Sequence, residues 1–576
     1  MSTRKFASIP AGDIRLQGEL GRMTDLVVAN RLKQADYPMM VDVFRKREER
    51  DGAWRSEFWG KVVRSAILAW YATGDETLLG KIKETVRDIL TTQTEDGCIS
   101  SYPEDLQLEY WDIWGRKYVL AGLTRYLEFV EKDPEVLTAC ERLMDHFMTK
   151  VGPGIRHIAS CGRHDGLAAC SILYVVVHLY KLSGKQKYLD YAKWIAGTGC
   201  SLIMNIYEAA RNGVHPEDIP NGKSYEMMSC YLGLCELYEV DPQPEYLETV
   251  KRFYEMVRDY ELFITGVSGL KDTSGEFWYN GKFKQCMTDV GAHGETCVTT
   301  TWIQFCEIVF RNTGDLTIMD EMERALYNGI LGAIKPDGST CVHMNPDLMG
   351  VERAWKQPAP DQIYNVFKTP FDGNDCCRAQ APEAIAQATP AAAFVEGDTL
   401  SLMLYDDMTI RFKSAKITVS GGYPFRSEVK IRINLPAPET FTLALRVPSW
   451  QNPDAGIDVC GEKFAALPGT CCNVTREWQD GDVITILFDL SPVCVKDPGE
   501  SGRITWMCGP VVMAQDSRLS GEIDVPVKEG TLTVAEDRPG FRMLRKTEDG
   551  TLLCDYASAG SEFDENNKIC VWMRTK

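Results

Sequence analysis

Tyr71-Ala72-Thr73-Gly74-Asp75-Glu76 is the stretch from which the fold can be read. A helix with apolar periodicity runs from Trp54 to Tyr71 and stops at the glycine, and a second starts at Glu76 and reaches about Thr92. The same punctuation recurs after Phe129 (Val-Glu-Lys-Asp-Pro134), Tyr180 (Lys-Leu-Ser-Gly184), Tyr238 (Glu-Val-Asp-Pro242) and Phe310 (Arg-Asn-Thr-Gly314). These aromatic positions are spaced by roughly 50 to 70 residues, and each break is followed by another helical stretch, so five helical hairpins are predicted. A pair of helices that cannot bury its apolar face alone must stack on its neighbours. A helical region over residues 24–48, interrupted near Pro38, and another at Ala381 to Ala393 supply a sixth pair. The expected architecture is an (α/α)6 barrel, with an open α-solenoid as the alternative.

Near Gly397 the pattern changes. Leu400-Ser-Leu-Met-Leu-Tyr, Ala415-Lys-Ile-Thr-Val-Ser, Glu428-Val-Lys-Ile-Arg-Ile-Asn, Phe441-Thr-Leu-Ala-Leu-Arg-Val and Val483-Ile-Thr-Ile-Leu-Phe alternate apolar and polar residues between Gly, Pro and Asp. The chain is therefore expected to be mainly α plus β. An N-terminal segment over 1–20 adds a strand to the β-sandwich, the barrel covers 21–394, a β-sandwich covers 395–517, and a β-rich extension covers 518–576.

The chain has 576 residues, more than one core normally accommodates, with 44% hydrophobic and 25% charged residues, as in ordinary globular proteins. A net charge of −19 makes nucleic acid and anionic membrane surfaces poor partners. Met1 to Arg22 mixes charges without an apolar core, and no run reads as long enough to span a bilayer. The 20 cysteines are accordingly expected to be reduced, in a cytoplasmic protein.

Chemistry concentrates in three short segments: Ser274-Gly275-Glu276-Phe277, Gly294-Glu295-Thr296-Cys297 and Asp375-Cys376-Cys377-Arg378. Three thiols and a carboxylate from two of them are the right number and type of ligands to enclose a zinc ion. Glu295 and Cys297 are two apart, a spacing that suits a loop entering a helix near Val298, and adjacent cysteines suit a loop as well. Neither segment is a CxxC, so buried free cysteines remain an equal reading of the residues themselves.

The Glu-Thr-Cys at 295–297, the Cys-Cys at 376–377, the Gly-Glu-Phe at 275–277 and the run Leu326-Tyr327-Asn328-Gly329 together resemble glycoside hydrolase family 127. That family is a group of bacterial retaining glycosidases typified by β-L-arabinofuranosidase. The resemblance spans some three hundred residues and implies a helical barrel followed by β-sandwich material. It implies a zinc held by Glu295, Cys297, Cys376 and Cys377, with Cys376 as nucleophile and Glu276 as acid/base. Such a sulfur could attack an anomeric carbon because coordination to a divalent cation removes the thiol proton. Glu276 would protonate the leaving oxygen and then activate water, giving net retention.

This sequence departs from the family where substrate contacts are expected. Lys223, followed by Ser224, Tyr225 and Glu226, stands where relatives place a histidine, and His343 stands near an aromatic position ahead of Asn345-Pro346. Arg-Ala-Gln-Ala-Pro follows Cys377 in place of a proline-rich continuation. Lys223, Tyr225, Glu226 and His343 are therefore candidate sugar contacts, and a lysine at the mouth favours an acidic sugar. His164 and Asp165 are either a surface histidine with a helix N-cap or sugar ligands. Trp278 and Tyr279 are candidates for stacking on a sugar ring, whereas Tyr110, Trp111, Trp114 and Tyr118 read as packing within one helix. Cys471-Cys472 reads as structural.

The leading expectation is release of a terminal β-L-arabinofuranose from plant-derived glycans or glycoconjugates. The alternatives are hydrolysis of another, acidic or branched, sugar, an epimerase or lyase on the same barrel, and a non-catalytic carbohydrate binder with a structural zinc. Seven histidines in the chain weigh against the epimerase. The expected partner is a carbohydrate substrate, without nucleic acid or membrane; a homodimer is admitted.

Overall fold

The computed structural model describes the chain apart from residues 1–5, 51–52, 270–275, 287–293, 346–348, 353–375, 454–455 and 564–565. Ser274, Gly275, Pro346 and Asp375 of the segments above lie outside the described residues.

The helical part consists of α1 (Glu19–Asn30), α2 (Tyr37–Lys46), α3 (Ser56–Thr73), α4 (Glu76–Leu90), α5 (Asp112–Phe129), α6 (Pro134–Met148), α7 (Leu173–Ser183), α8 (Gln186–Gly197), α9 (Ser224–Tyr238), α10 (Pro244–Met256), α11 (Thr296–Thr313), α12 (Thr317–Arg324) and α13 (Cys376–Ala392). Helices α3, α5, α7, α9, α11 and α13 each pack on the next, and α13 packs back on α3, so the ring closes as an (α/α)6 barrel. The sixth pair is formed by α1 on α13. The expected helical barrel followed by β-sheet domains is the observed architecture.

Sequence pattern separates the two rings. Outer α4 buries only Leu78, Ile82, Thr85, Val86 and Ile89, a single helical stripe, whereas inner α3 is buried on nearly every face. The breaks at Gly74, Gly184 and Gly314 are left-handed C-caps (φ +67°, +67° and +75°) whose N–H groups bond back to Trp70, Tyr180 and Phe310. Asp75 and Asp133 cap the helices that follow.

One stretch, His164–Ser183, has the length and apolarity of a bilayer span, against the expectation that none would. It belongs to the barrel wall: Asp165 and Gly166 break it with left-handed φ values of +55° and +98°, and most of it is buried in the protein.

After α13 two sheets face each other. A five-stranded sheet has 7–8 beside 393–396, then 399–402, 439–447 and 470–478, and a seven-stranded sheet takes 14–16 at one edge, beside 408–412. A third sheet joins strands 492–496, 504–508 and 511–516 to 552–555, 544–546 and 533–534. The boundary expected at 517/518 therefore cuts through one sheet. Pairing between strands some forty residues apart binds the two sides, and local composition does not reveal such pairing. In the strand 470–478, Cys471 and Cys472 are neighbours on opposite faces, each half-buried.

Two buried polar contacts dock these layers onto the barrel. The Asn328 side chain donates to Pro510 O (2.8 Å) and accepts from Val512 N–H (2.9 Å), which gives the Leu326–Gly329 run a structural role. Arg446, fully buried, lies 2.5 Å from Asp320 and 2.8 Å from Glu323, and Tyr423 also donates to Glu323. Removing the cation strands two carboxylates in a dry interface. Arg446→Met is expected to cost about 3–5 kcal/mol, read as a lowered midpoint of denaturant unfolding; a change near zero would show that the cluster does not hold the layers together.

Candidate active site

Glu57, Trp114, Glu226, Cys297, Cys376 and Cys377 all sit in the first turns of inner helices, so one mouth of the barrel gathers their side chains. The ligand atoms of Glu295, Cys297, Cys376 and Cys377 lie within 4.8 Å of one another. Sγ of Cys377 is 3.1 Å and Sγ of Cys376 3.8 Å from Oε1 of Glu295, and the Cys297 N–H donates to Cys377 Sγ at 3.2 Å. A short strand at Gly294–Glu295 pairs with Met344–Asn345 and sets the carboxylate at the entrance of α11.

The donor set fits a zinc ion. Tetrahedral thiolate and carboxylate ligands at about 2.0–2.3 Å from the metal stand roughly 3–4 Å from each other, the range of the two Glu295–thiol distances here. Oε2 of Glu295 is buried and finds no hydrogen-bond partner among the described residues. Burial pushes the Glu295 carboxyl well up, with Glu276 and Cys376 adding to the shift, so the cluster needs positive charge. Hydrogen bonds from Cys297 and Cys377 pull the Cys376 thiol well down against burial, aided by Lys61 and His343.

Two groups that the sequence reading missed supply part of that charge balance. Nζ of Lys61 lies 3.9 Å from Cys297 Sγ and 3.1 Å from Glu57, all in the dry interior. Trp114 donates to the same glutamate. Burial raises the Glu57 carboxyl to about 7, against the pull of Lys61. The available signal was the spacing of Glu57, Lys61 and Arg64 along one stripe of an otherwise apolar helix.

Glu276 is held by a short pairing. Ser224 N–H donates to Glu276 O and Trp278 N–H to Gly222 O, both at 2.8 Å, which lays this segment along the start of α9. The Lys223 ammonium bonds the Glu276 carboxylate and stands 3.8 Å from Glu226. Burial raises the Glu226 carboxyl to about 7, with Lys223 opposing and Glu276 reinforcing. Tyr225 lies deeper, bonded to Tyr118 and donating to Gln380 (2.5 Å), so it belongs to the floor.

His164 and Asp165 both have left-handed φ values, +56° and +55°, and neither caps a helix. The His164 ring stands against Trp111 (5.4 Å) and Phe277 (6.3 Å), and burial followed by Lys223 and Arg163 lowers its pKa to about 3. Asp165 accepts from Asn221 (2.7 Å). His343 Nε2 is 3.7 Å from Glu295 Oε1, on the metal cluster's edge. Helix α5 begins at Asp112, so Tyr110 and Trp111 lie ahead of it, contrary to the expected single helix, and Trp111 is half-exposed at the mouth. Trp278 and Tyr279 do not fit the stacking role. Trp278 is 1% exposed in the core, and Tyr279, 4% exposed, packs against Phe263, so neither offers a free ring face.

Residues 19–390 match the model of the β-L-arabinofuranosidase GH127 catalytic domain, and residues 399–490 match the GH127 middle domain. The non-reducing end β-L-arabinofuranosidase of Bifidobacterium longum subsp. longum is 21% identical over 512 residues, 79% of this chain and 76% of that one. The structure of a GH127 β-L-arabinofuranosidase from Geobacillus stearothermophilus T6 superposes with a TM-score of 0.76 over 98% of this chain and 100% of its own, at 17% identity. A second GH127 β-arabinofuranosidase gives 0.78 over 100% and 99%, at 16% identity. At those identities the structures speak to the fold, and the family match covers well over half the chain. The chain belongs to the β-L-arabinofuranosidase family GH127 and is a glycoside hydrolase.

Proposed function

We propose that the protein is a zinc-dependent retaining exo-glycosidase that releases a terminal β-L-arabinofuranose, with Cys376 as nucleophile and Glu276 as acid/base. The observation that carries this reading is the convergence of one carboxylate and three thiols within 4.8 Å beside the Glu276–Lys223 pair. Glu295, Cys297, Cys376 and Cys377 would hold the zinc, which when bound keeps the thiols deprotonated.

Cys376 Sγ, at the first residue of α13, attacks the anomeric carbon, helped by the positive end of the helix. Glu276 gives its proton to the departing oxygen, so the glycosidic bond breaks as the carbon–sulfur bond forms. Glu276 then takes a proton from water, whose oxygen displaces the sulfur, and two inversions leave the configuration retained. Lys223 positions Glu276 through the hydrogen bond between them, and Glu226 keeps the ammonium paired while Glu276 carries its proton. Its charge is matched by Glu276 and Glu226, which leaves little for an acidic sugar and favours a neutral furanose. Trp111, His164 and Phe277 form the wall available to the sugar. None of the 20 cysteines is joined in a disulfide, which supports a reducing, cytoplasmic setting.

Metal analysis of the purified protein is expected to find about one zinc per chain, lost in Cys297→Ser. Glu276→Gln should keep the metal while kcat/KM on an aryl β-L-arabinofuranoside falls roughly 10²–10⁴-fold; full hydrolysis by Cys376→Ala would remove sulfur from the mechanism. Lys61→Met should lose zinc to a chelator roughly tenfold more readily, because the anionic cluster loses its nearest buried cation. Unchanged retention there would mean that the helix termini and the metal suffice.

A further inference from the structure

The other mouth of the barrel, at the last turns of the inner helices, opens into a second cavity of about 640 Å³. That lies within the range of small-molecule pockets, roughly 300–1,000 Å³. A bonded layer separates it from the metal cluster. Tyr118 bonds Tyr225, Tyr225 donates to Gln380, and Arg64 pairs with Glu383 at 2.6 Å while donating to Tyr174 at 3.1 Å.

Lys117 forms part of the cavity floor. It is 1% exposed, and its Nζ finds no hydrogen-bond partner among the described residues. Four ring centroids surround that nitrogen, Trp114 at 3.7 Å, Tyr118 at 4.9 Å, Tyr174 at 5.5 Å and Tyr225 at 5.8 Å. Rings stabilise a cation but leave a nitrogen without an oxygen partner, and a polar group so deep ordinarily has one. Burial and the neighbouring Arg64 favour its uncharged form, so the floor sets no free charge beneath the cavity. On the wall, Gln304 Nε2 is likewise buried without a partner among the described residues.

The remaining walls carry charges already matched. Lys181 bonds Glu236 and Glu239, His178 bonds Glu236 at 3.0 Å, and Arg311 pairs with Glu307 at 2.5 Å. Arg125 lies flat over Phe129, 5.2 Å from its centroid, at the rim. An anion here would have to compete with Glu236, Glu239 and Glu307 for Lys181 and Arg311, which they already pair, and would face the negative ends of six inner helices. Hydroxyl groups meet no such penalty, since they can accept from the half-buried Arg125 at the rim, donate to carboxylates already held in place, and set a ring face against an aromatic wall.

We propose that this cavity is a binding site for a neutral saccharide, separate from the hydrolytic centre and closed off from it by the tyrosine layer. The test is calorimetric titration of the full chain with L-arabinose and D-galactose as neutral probes and D-glucuronate as the anionic one, comparing wild type with Leu232→Trp, which fills the cavity from a half-buried wall position, and Arg125→Ala at the rim. A neutral probe should bind the wild type and bind both variants roughly tenfold more weakly or worse, with aryl-glycoside hydrolysis unchanged. Neutral-probe binding that both variants leave intact, no neutral-probe binding at all, or binding of D-glucuronate alone would each overturn the proposal. Because binding is read by heat and not by turnover, its failure is distinguishable from a failure of the zinc-thiolate mechanism.

Discussion

A carboxylate and three thiols buried within a few ångströms repel one another once ionised, and the rest of this barrel reads as the means of holding them there. With a divalent ion bound, four formal negative charges would leave an excess of two, which a dry interior does not tolerate unaided. The first turns of α11 and α13 supply positive helix ends at the cluster, and Lys61 brings a full charge to 3.9 Å of Cys297. Lys61 is in turn tied to Glu57, and Glu57 to Trp114, so compensation spreads across α3 and α5. Those two helices approach closely: a Cβ on Gly60 would come within 2.1 Å of the Tyr118 carbonyl oxygen. Packing of the ring and charge balance at its mouth are thus one constraint.

The closed ring also explains why its interior is polar. Six helices leave an axial space that must be filled or wet, and here a layer of tyrosines, Gln380 and the Arg64–Glu383 pair fills its middle. Chemistry gathers above that layer, where helix N-termini favour thiolates and carboxylates. Below it lie C-termini, and the side chains lining that mouth include Lys181, Arg311 and Arg125, the residue types that offset them.

What could be read from the sequence follows from what is local. Gly74, Gly184 and Gly314 announce helix ends because a left-handed C-cap is a local demand, and Asp75 and Asp133 announce the next helix for the same reason. The four metal-ligating candidates were legible as residue types, but their meeting depends on ring closure, which pairs residue 297 with residues 376 and 377. Strand pairing across 492–555 was not legible, since nothing near residue 517 signals which partner a strand will take. Trp278 and Tyr279 illustrate a further limit: proximity to Glu276 along the chain places their backbone near the mouth, yet the rings turn into the core. Lys61 and Glu57 were missed because a charged pair on a helix ordinarily reads as a solvated face.

The position of Lys223 carries the argument about the sugar. An unpaired lysine at a barrel mouth would attract a uronic acid, whereas this one is 3% exposed and shared between Glu276 and Glu226. A second carboxylate from a substrate would have to displace one of these, stranding a buried charge. The same pair ties Glu276 to α9 through both backbone and side chain, so under the proposed function the lysine would aim Glu276 and not read the substrate's charge. Under the proposed function, recognition would then fall to Trp111, His164 and Phe277, whose faces are apolar and, with the histidine held neutral, uncharged. A wall of that kind suits the carbon face of a small neutral ring, and on the proposed reading it places the discrimination between sugars in shape, at Trp111 and His164 outside the family motifs and at Phe277 within one.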